Sequence, residues 1–260
     1  MAHLLRERLQ PTRTAPATFA GKLPKKHWAT LPEADIVPAL LREAPSRVRA
    51  HAEAAPGDVR ALLPPLDAPE AAVRAALRAC AACPLHVETT AVPGEGPLGA
   101  AIALVGEQPG DAEDRAGRPF VGPAGQVLGA TLPRRRPRPR PRSTSPTPSK
   151  HFRHRRDGYG KRLHETPDRG HVEVCRPWVV FELQRVRPQV VVALGVTAAH
   201  ALLGRIVAVG RSRGEVLVRP GGVPLVVGPH PSAVLRAREG SDAVRAHLVA
   251  TLQQARALAG

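Results

Sequence analysis

The sequence predicts an α/β protein, a three-layer αβα sandwich built around a short, mostly parallel central sheet. Three apolar runs lack polar alternation and each stops at a glycine, as expected of strands that are buried on both faces. They are residues 100–105 before Gly106, 190–194 before Gly195, and 223–227 before Gly228. Helix-like stretches at 177–187 and 196–203 separate the runs, and strands that alternate with helices indicate a parallel sheet.

The remaining elements follow from periodicity and composition. Residues 1–55 are basic and locally helical in pattern but too short for a core of their own, and residues 56–69 are rich in proline and alanine, which predicts a linker. The main domain is therefore expected at 70–260. It begins with a helix that carries Val73, Leu77 and Cys80 at i, i+4 and i+7, and it ends with an amphipathic helix near the C-terminus.

Composition excludes some classes of protein. Hydrophobic residues make up 43% of the 260 residues, and no stretch approaches the roughly 18 uncharged apolar residues of a membrane helix. The first eight residues contain no apolar run of signal-peptide length before charges return, so a cytoplasmic protein without membrane association is expected.

The chain is strongly basic, with a formal net charge of +16 from 38 Lys and Arg against 22 Asp and Glu. Six of the arginines lie at 134–142, and removing their charges from the total leaves +10. The basic character is thus not confined to one low-complexity run, which points to a polyanion as partner.

Two polar loops follow two of the predicted strands. The first is Gly106-Glu107-Gln108-Pro109-Gly110-Asp111, and the second is Gly228-Pro229-His230-Pro231-Ser232. Ligands of parallel sheets bind at the carboxyl ends of the strands, so these loops are expected to face one cleft that holds the chemistry.

The motifs in and around these loops resemble those of iron-sulfur uracil-DNA glycosylases. The first loop continues as 112–114 and then Gly117-Arg118-Pro119-Phe120-Val121-Gly122-Pro123-Ala124-Gly125. Within that superfamily, which is related to family four, the Gln108-Pro109-Gly110-Asp111 variant, the segment 230–236 and the loop Gly160-Lys161-Arg162-Leu163-His164 look like the UdgX branch. The resemblance covers about 70–257. Residues 22–50 look like the tail of an uncharacterised DNA-metabolism domain whose front is absent here.

The resemblance implies a uracil-DNA glycosylase fold and the removal of uracil from DNA, with single-stranded DNA preferred and a monomeric protein. In the UdgX branch a loop histidine becomes covalently joined to the abasic sugar, and His164 matches that histidine. Neutral imidazole is a competent nucleophile toward the electron-poor C1′ that a departing base leaves behind. Glu107 would stabilise the positive charge or orient the histidine, and His230 would donate to uracil O2.

The resemblance also implies a set of substrate contacts: Gln108, Gly110 and Asp111 against the base, Phe120 stacked on it, Ser232 beside it, and Arg162 and Arg236 on phosphates. Each proposed role has a structural alternative. Glu107 could cap the following helix, His230 could be a turn histidine fixed by its flanking prolines, Phe120 could be a core residue, and His164 could contact DNA without reacting.

Cysteines suggest a metal centre. Cys80 and Cys83 form a Cys-x-x-Cys step, and Cys175 is the third and last cysteine of the chain. Thiolates favour an iron-sulfur cluster or zinc. The resemblance implies a structural [4Fe-4S] cluster whose fourth ligand is His151. A zinc ion with the same ligands, or three unrelated buried thiols, are the alternatives.

The resemblance fails at 132–149, an aberrant Arg/Pro tract that stands where the family has a helix end and its second sheet strand. Prolines cannot supply the ladder hydrogen bonds of a central strand, so a lost strand is expected. The family segment before Lys-His-Phe reads approximately Val-Tyr-Val-Thr-Asn-Ala-Val. Its GC-rich codons, read one base late, give Ser-Thr-Ser-Pro-Thr-Pro-Ser, which is the sequence of 143–149.

A local frameshift, restored just before Lys150, would explain this tract, and resequencing the coding DNA tests it. As written, the chain has Thr147 where the family reads uracil with an asparagine. A disordered Arg/Pro insertion that binds phosphate nonspecifically is the alternative. Two other functions also remain open, which are ordinary hydrolytic excision of uracil and non-catalytic DNA binding by a remnant that the tract has inactivated.

Overall fold

The computed structural model of the chain describes residues 59–132, 143–144, 147–205, 207–237 and 239–260. The predicted N-terminal remnant at 1–55 and most of the Arg/Pro tract lie outside these residues. The α-helices in the described part are α1 (Glu70–Arg78), α2 (Asp111–Ala116), α3 (Pro123–Thr131), α4 (Arg169–Val186), α5 (Val196–Leu203), α6 (Pro231–Arg236) and α7 (Ser241–Leu258). The strands are β1 (Ile102–Val105), β2 (Ser143–Thr144), β3 (His154–Arg156), β4 (Arg162–His164), β5 (Val190–Leu194), β6 (Val216–Val218) and β7 (Pro224–Gly228).

Five strands form one sheet in the order β2-β1-β5-β7-β6. The pairs β2–β1, β1–β5 and β5–β7 are parallel, and β6 adds an antiparallel edge to β7. All five residues of β5 are buried, because apolar side chains on both faces of a central parallel strand are covered. The predicted α/β fold with a mostly parallel sheet is confirmed.

Successive residues of the central strands supply two different core layers. Ala103 and Val105 pack with Val179 and Leu183 of α4 on one face, together with residues of α5. Leu104, which lies between them in β1, packs on the opposite face with residues of α3, α6 and α7. This alternation follows from the period of two in a β-strand. Helices on both faces of the sheet give the three layers of the predicted sandwich.

The predicted linker at 56–69 is, from Val59 onward, part of the domain. Residues Val59–Leu62 form a 3₁₀ helix, and Val59 is buried with Val73 and Leu77 of α1. The Arg185 guanidinium donates hydrogen bonds to the carbonyl groups of Leu66 and Ala68, which fixes this stretch on α4. Its proline content gives it little regular hydrogen bonding, and its apolar side chains nevertheless contribute to the core.

The expected loss of a strand in the Arg/Pro tract is wrong for residues 143–144. Ser143 and Thr144 pair in parallel with Ile102 and Ala103 of β1. Strand β2 lies at the edge of the sheet and contains no proline, and an edge strand needs hydrogen bonds on one side only. A short strand is therefore compatible with the prolines on either side of it.

A two-stranded hairpin, β3–β4, lies apart from the main sheet. His154 pairs with His164 and Arg156 with Arg162, in antiparallel register. The family resemblance implied a loop at 160–164, whereas Arg162–His164 form strand β4. In the described part of the chain, no helix has the length and apolar character required to cross a membrane.

Candidate active site

A cleft of about 540 Å³ opens at the carboxyl ends of β1 and β7. Both predicted loops contribute to its wall, and the end of the β3–β4 hairpin closes another side. The predicted site residues that line it are Glu107, Gln108, Gly110, Asp111, Phe120, His164, His230, Ser232 and Arg236. The structure thus brings together side chains that are more than 100 positions apart in the sequence, as the rule for strand ends of parallel sheets predicts.

Glu107 and His164 face each other across the cleft. The Oε1 atom of Glu107 is 3.7 Å from Nε2 of His164, which is within ion-pair range but too long for a hydrogen bond. This buried oxygen has no hydrogen-bond partner among the described residues, although the carboxyl group is 20% exposed. A carboxylate oxygen that accepts no hydrogen bond at the wall of a cleft is available to positive charge that develops there.

His230 is held neutral with a defined tautomer. Burial is the main cause that lowers its pKa from 6.5 to about 4, and the guanidinium of Arg236 and the nearby His164 side chain lower it further. The backbone N–H of Ser232 donates to Nδ1 at 3.2 Å, and the Ser232 hydroxyl lies 2.7 Å from the same atom. Arg236 in turn donates to that hydroxyl oxygen at 2.9 Å. Because Nδ1 accepts these bonds, the proton of the neutral ring is assigned to Nε2.

Phe120 lines the cleft from a backbone conformation that phenylalanine rarely adopts. Its φ is 52°, in the left-handed region. A Cβ atom at Gly125 would collide with the Phe120 backbone, and a Cβ at Gly106 would lie 3.1 Å from the tip of the phenyl ring. The two glycines therefore permit the strained turn that presents this ring, and strain of this kind is commonly found at functional sites.

Thr147 also lines the cleft, beside Phe120. Its side chain is buried, its hydroxyl oxygen has no partner among the described residues, and its methyl group would touch a Cβ at Gly106. The cleft thus contains an unsatisfied hydroxyl at the position where the family resemblance expects an asparagine. An unpaired buried polar group is costly in the free protein and is free to bond a polar ligand.

Gln108 lines the cleft, but its carboxamide is bonded to the hairpin. Its Nε2 donates to the carbonyl groups of Glu165 (2.9 Å) and Arg153 (3.2 Å), and its Oε1 accepts from the backbone N–H of Arg153 at 2.9 Å. These bonds join the loop after β1 to both ends of the hairpin that carries His164. The geometry makes Gln108 a positioning residue for the hairpin, and a direct bond from its amide to a base would require these contacts to break.

Arg162 forms an internal clamp. Its guanidinium contacts Asp111 and Asp114 of α2 and lies 5.5 Å from the centroid of the Phe152 ring, and its side chain is only 11% exposed. Burial opposes the charged form, but the hydrogen bonds to Asp114 and Asp111 outweigh it and raise the pKa of Arg162. The phosphate contact expected of Arg162 would cost both ion pairs. Arg236, in contrast, is exposed at the cleft and can meet a phosphate.

Glu113 is a positioning residue that the sequence analysis missed. Its carboxylate is buried and accepts hydrogen bonds from the backbone N–H groups of Gly110 (3.1 Å) and Gly122 (2.8 Å). It therefore fixes the two glycine-rich turns on either side of Phe120. The acidic residues in the first turn of α2 were the available signal, because such residues bond the free N–H groups of a helix start.

The four predicted metal ligands are all buried, and Cys83 contacts two of the others, His151 and Cys175. Cys83 Sγ lies 3.8 Å from Nδ1 of His151. A hydrogen bond from Cys175 is the main cause that lowers the pKa of the Cys83 thiol to about 4, with His151 and the Leu85 backbone adding to it. Cys80 packs with Trp178 and Phe181 in the core. In the part of the chain that the structure describes, no three His, Cys, Asp or Glu side chains are grouped closely enough to hold a metal ion as they stand.

Comparisons of the sequence with known proteins show which family it is similar to. The sequence profile of the Uracil DNA glycosylase superfamily matches residues 93–255. A type-4 uracil-DNA glycosylase of Pyrobaculum aerophilum is 36% identical over 171 residues, which cover 62% of this chain and 81% of that protein. The type-4 uracil-DNA glycosylase of Thermotoga maritima is 34% identical over 167 residues (62% and 81%), and that of Archaeoglobus fulgidus is 33% identical over 170 residues (61% and 79%).

Proposed function

The chain belongs to the uracil DNA glycosylase superfamily, and from that premise we propose that it excises uracil from DNA and retains the abasic product on His164. The proposal is carried by one observation, the approach of His164 to the Glu107 carboxylate, whose Oε1 atom accepts no hydrogen bond from the described residues, in the cleft that also holds the neutral His230. Nucleophile, carboxylate and leaving-group donor are then all within one site.

His230 stabilises the leaving uracil. A uracil flipped out of the DNA would enter the cleft with its ring against Phe120. As the C1′–N1 bond breaks, its electron pair moves onto uracil and negative charge builds on O2. The Nε2–H of neutral His230 is the donor that meets this charge, and its hydrogen bonds through Ser232 keep the tautomer fixed. A donor that needs no reorientation is worth most where water is excluded.

Glu107 and His164 act on the sugar. Loss of uracil leaves positive charge on C1′, which the carboxylate of Glu107 stabilises through its free Oε1 atom. A ring nitrogen of neutral His164 then donates its lone pair to C1′, and a C–N bond replaces the one that broke. The imidazolium formed loses its N–H proton to Glu107 or to solvent, and the uracil anion takes up a proton. Atoms and charge balance, and no cofactor takes part in the transfer.

The proposed substrate is uracil-containing DNA, with single strands preferred. The net charge of +16 favours a polyanion, and the exposed guanidinium of Arg236 lies at the mouth of the cleft, where a phosphate next to the flipped nucleotide would pass. Arg236 is already bonded to Ser232, so phosphate binding there would be coupled to the orientation of His230.

The proposed reaction is tested with His164→Ala. Labelled single-stranded DNA with one uracil is incubated with the protein, heated in denaturant and run on a denaturing gel, with and without alkali. The wild-type chain is expected to give a slow, uracil-dependent band, and His164→Ala is expected to give an alkali-sensitive abasic site in its place. His247→Ala, a histidine of α7 outside the cleft, serves as the matched control.

Two other outcomes decide between the alternatives. Alkali-sensitive product without a slow band from either chain would show ordinary hydrolytic excision, in which water attacks C1′. Salt-dependent DNA binding without any uracil-dependent product would show a non-catalytic DNA-binding protein.

We further propose that Cys80, Cys83, His151 and Cys175 hold a structural [4Fe-4S] cluster. The donor set fits, because three thiols and one imidazole are buried and Cys83 Sγ lies 3.8 Å from Nδ1 of His151. The cluster would join the segment after α1 to the segment before β3 and to α4. Absorbance near 400 nm together with iron analysis separates it from zinc, and Cys175→Ser is expected to abolish that absorbance.

A further inference from the structure

The tip of the β3–β4 hairpin presents an aromatic ring to solvent. Tyr159 is the only tyrosine of the chain, and its side chain is 99% exposed. The other aromatic side chains among the described residues are buried or half-buried. The ring therefore adds nothing to the packing of the fold. Packing does not explain why an aromatic residue lies at this position.

The backbone of the tip is well ordered by Asp157. Its carboxylate accepts hydrogen bonds from the N–H groups of Tyr159 (2.9 Å) and Lys161 (3.0 Å). The backbone adds two more bonds, from Asp157 N–H to the Lys161 carbonyl and from Gly160 N–H to the Asp157 carbonyl, both at 3.0 Å. Gly160 takes the left-handed conformation that the turn requires, with φ of 80°. The ring thus projects from a fixed turn, and little backbone entropy would be lost when it binds.

Three exposed cationic residues lie on the same hairpin as this ring. Arg155, Arg156 and Lys161 are exposed on the same hairpin. Arg155 lies 3.8 Å from Glu165, and Arg156 lies 3.6 Å from Glu88. Both ion pairs are long and solvent-exposed, so they are worth little and are readily exchanged for contacts with phosphate. An exposed aromatic ring on an element that also carries exchangeable cations is a combination that binds single-stranded nucleic acid by base stacking.

The hairpin also delivers His164 to the cleft. His164 is five positions after Tyr159, so their Cα atoms are at most about 18 Å apart. Stacked nucleotides of one strand rise about 3.4 Å each, so a strand whose uracil occupies the cleft has bases within about five nucleotides that reach the tip.

We propose that Tyr159 stacks on an unpaired nucleobase near the flipped uracil, so that the hairpin binds single-stranded DNA in preference to duplex DNA. This inference rests on the proposed function, because it places the uracil in the cleft. A base inside a duplex offers no free face, so the contact favours single strands. Loss of one stacked base weakens binding to single-stranded nucleic acid by about five-fold or more.

The test uses single-stranded DNA that carries 2′-fluoro-deoxyuridine, whose electron-withdrawing fluorine disfavours positive charge at C1′ and so slows loss of the base. In a series of such strands, one nucleotide within five positions of the uracil is replaced by an abasic analogue, which keeps the phosphate and removes the base. Dissociation constants are measured by fluorescence anisotropy for wild type, Tyr159→Ala and Tyr159→Phe.

Wild type and Tyr159→Phe are expected to lose about five-fold or more in affinity when one particular position is abasic. Tyr159→Ala is expected to bind the intact strand that much more weakly and to be indifferent to the same abasic position. Equal affinities of wild type and Tyr159→Ala would overturn the proposal. An affinity of Tyr159→Phe for the intact strand as low as that of Tyr159→Ala would also overturn it, since the hydroxyl and not the ring would then make the contact.

Excision of unmodified uracil is measured separately with the same three chains. Excision without any effect of Tyr159 on binding overturns the stacking contact and leaves the glycosylase proposal intact. Binding that depends on the Tyr159 ring without uracil excision supports the stacking contact and overturns the glycosylase proposal.

Discussion

Removing the Gln108 carboxamide is expected to convert trapped product into free abasic product. Three hydrogen bonds join this group to the backbone at Arg153 and Glu165, the two ends of the hairpin that carries His164. Each contributes about 1 kcal/mol net, so Gln108→Ala weakens the docking of the hairpin by about 3 kcal/mol, or about 100-fold in the docking equilibrium.

Glu107 and His230 belong to other segments and keep their places when the hairpin moves. Excision of uracil is therefore expected to continue. Capture by His164 is expected to slow strongly, because it needs the docked hairpin, which holds Nε2 of His164 3.7 Å from Oε1 of Glu107. The measured quantity is the fraction of processed uracil that migrates as the heat-stable protein–DNA band, compared with the fraction that alkali cleaves.

Gln253→Ala is the matched control, because it makes the same chemical change on an exposed position of α7. Gln108→Ala with an unchanged trapped fraction would refute the positioning role of this amide. Loss of both products together with a lower melting temperature would instead show that the amide is needed for the fold of the whole site.

Three further predictions follow from the site. Thr147→Asn is expected to raise the preference for uracil over cytosine in the measured excision rates, by about 1–3 kcal/mol, because an amide supplies a donor and an acceptor where the hydroxyl is now unsatisfied. A ratio of uracil to cytosine excision equal to that of wild type would count against a role of this position in base recognition. Burial lowers the pKa of His230 from 6.5 to about 4, so between these pH values the histidine is protonated in the unfolded chain and neutral in the native protein. The free energy of unfolding should fall as pH drops from about 6.5 to about 4, by about 3 kcal/mol, and urea unfolding should show this component missing from His230→Asn. Chelation of iron should lower the melting temperature of wild type and leave Cys175→Ser unaffected, and an equal shift in both chains would contradict the proposed ligand.

The fold could be predicted because its central strands are unambiguous. Runs such as 190–194 are wholly apolar and end at a glycine, and only burial on both faces suits such a pattern. The same rule located Glu107 and His230, since both follow such strands directly. Strand β2 was missed because the prolines around it argue against a strand, and its edge position relaxes that constraint.

The hairpin and its supports could not be predicted from local pattern. Arg155 and Arg156 give β3 no apolar alternation, and the hairpin is held in place by contacts from distant residues. Gln108 is 45 positions from Arg153, and Asp114 is 48 positions from Arg162. Sequence spacing carries no signal of such contacts. This is also why Arg162 was assigned to a phosphate, whereas the structure pairs it with two carboxylates.

The central claim, that this chain excises uracil and captures the abasic sugar on His164, is tested most directly by mapping the covalent product. Wild-type protein is incubated with single-stranded DNA that contains one uracil, digested with protease and nuclease, and analysed by tandem mass spectrometry. The account predicts a deoxyribose adduct on the peptide that contains His164, absent when the uracil is replaced by thymine. Free uracil released without any adduct, or an adduct on another residue, would contradict it.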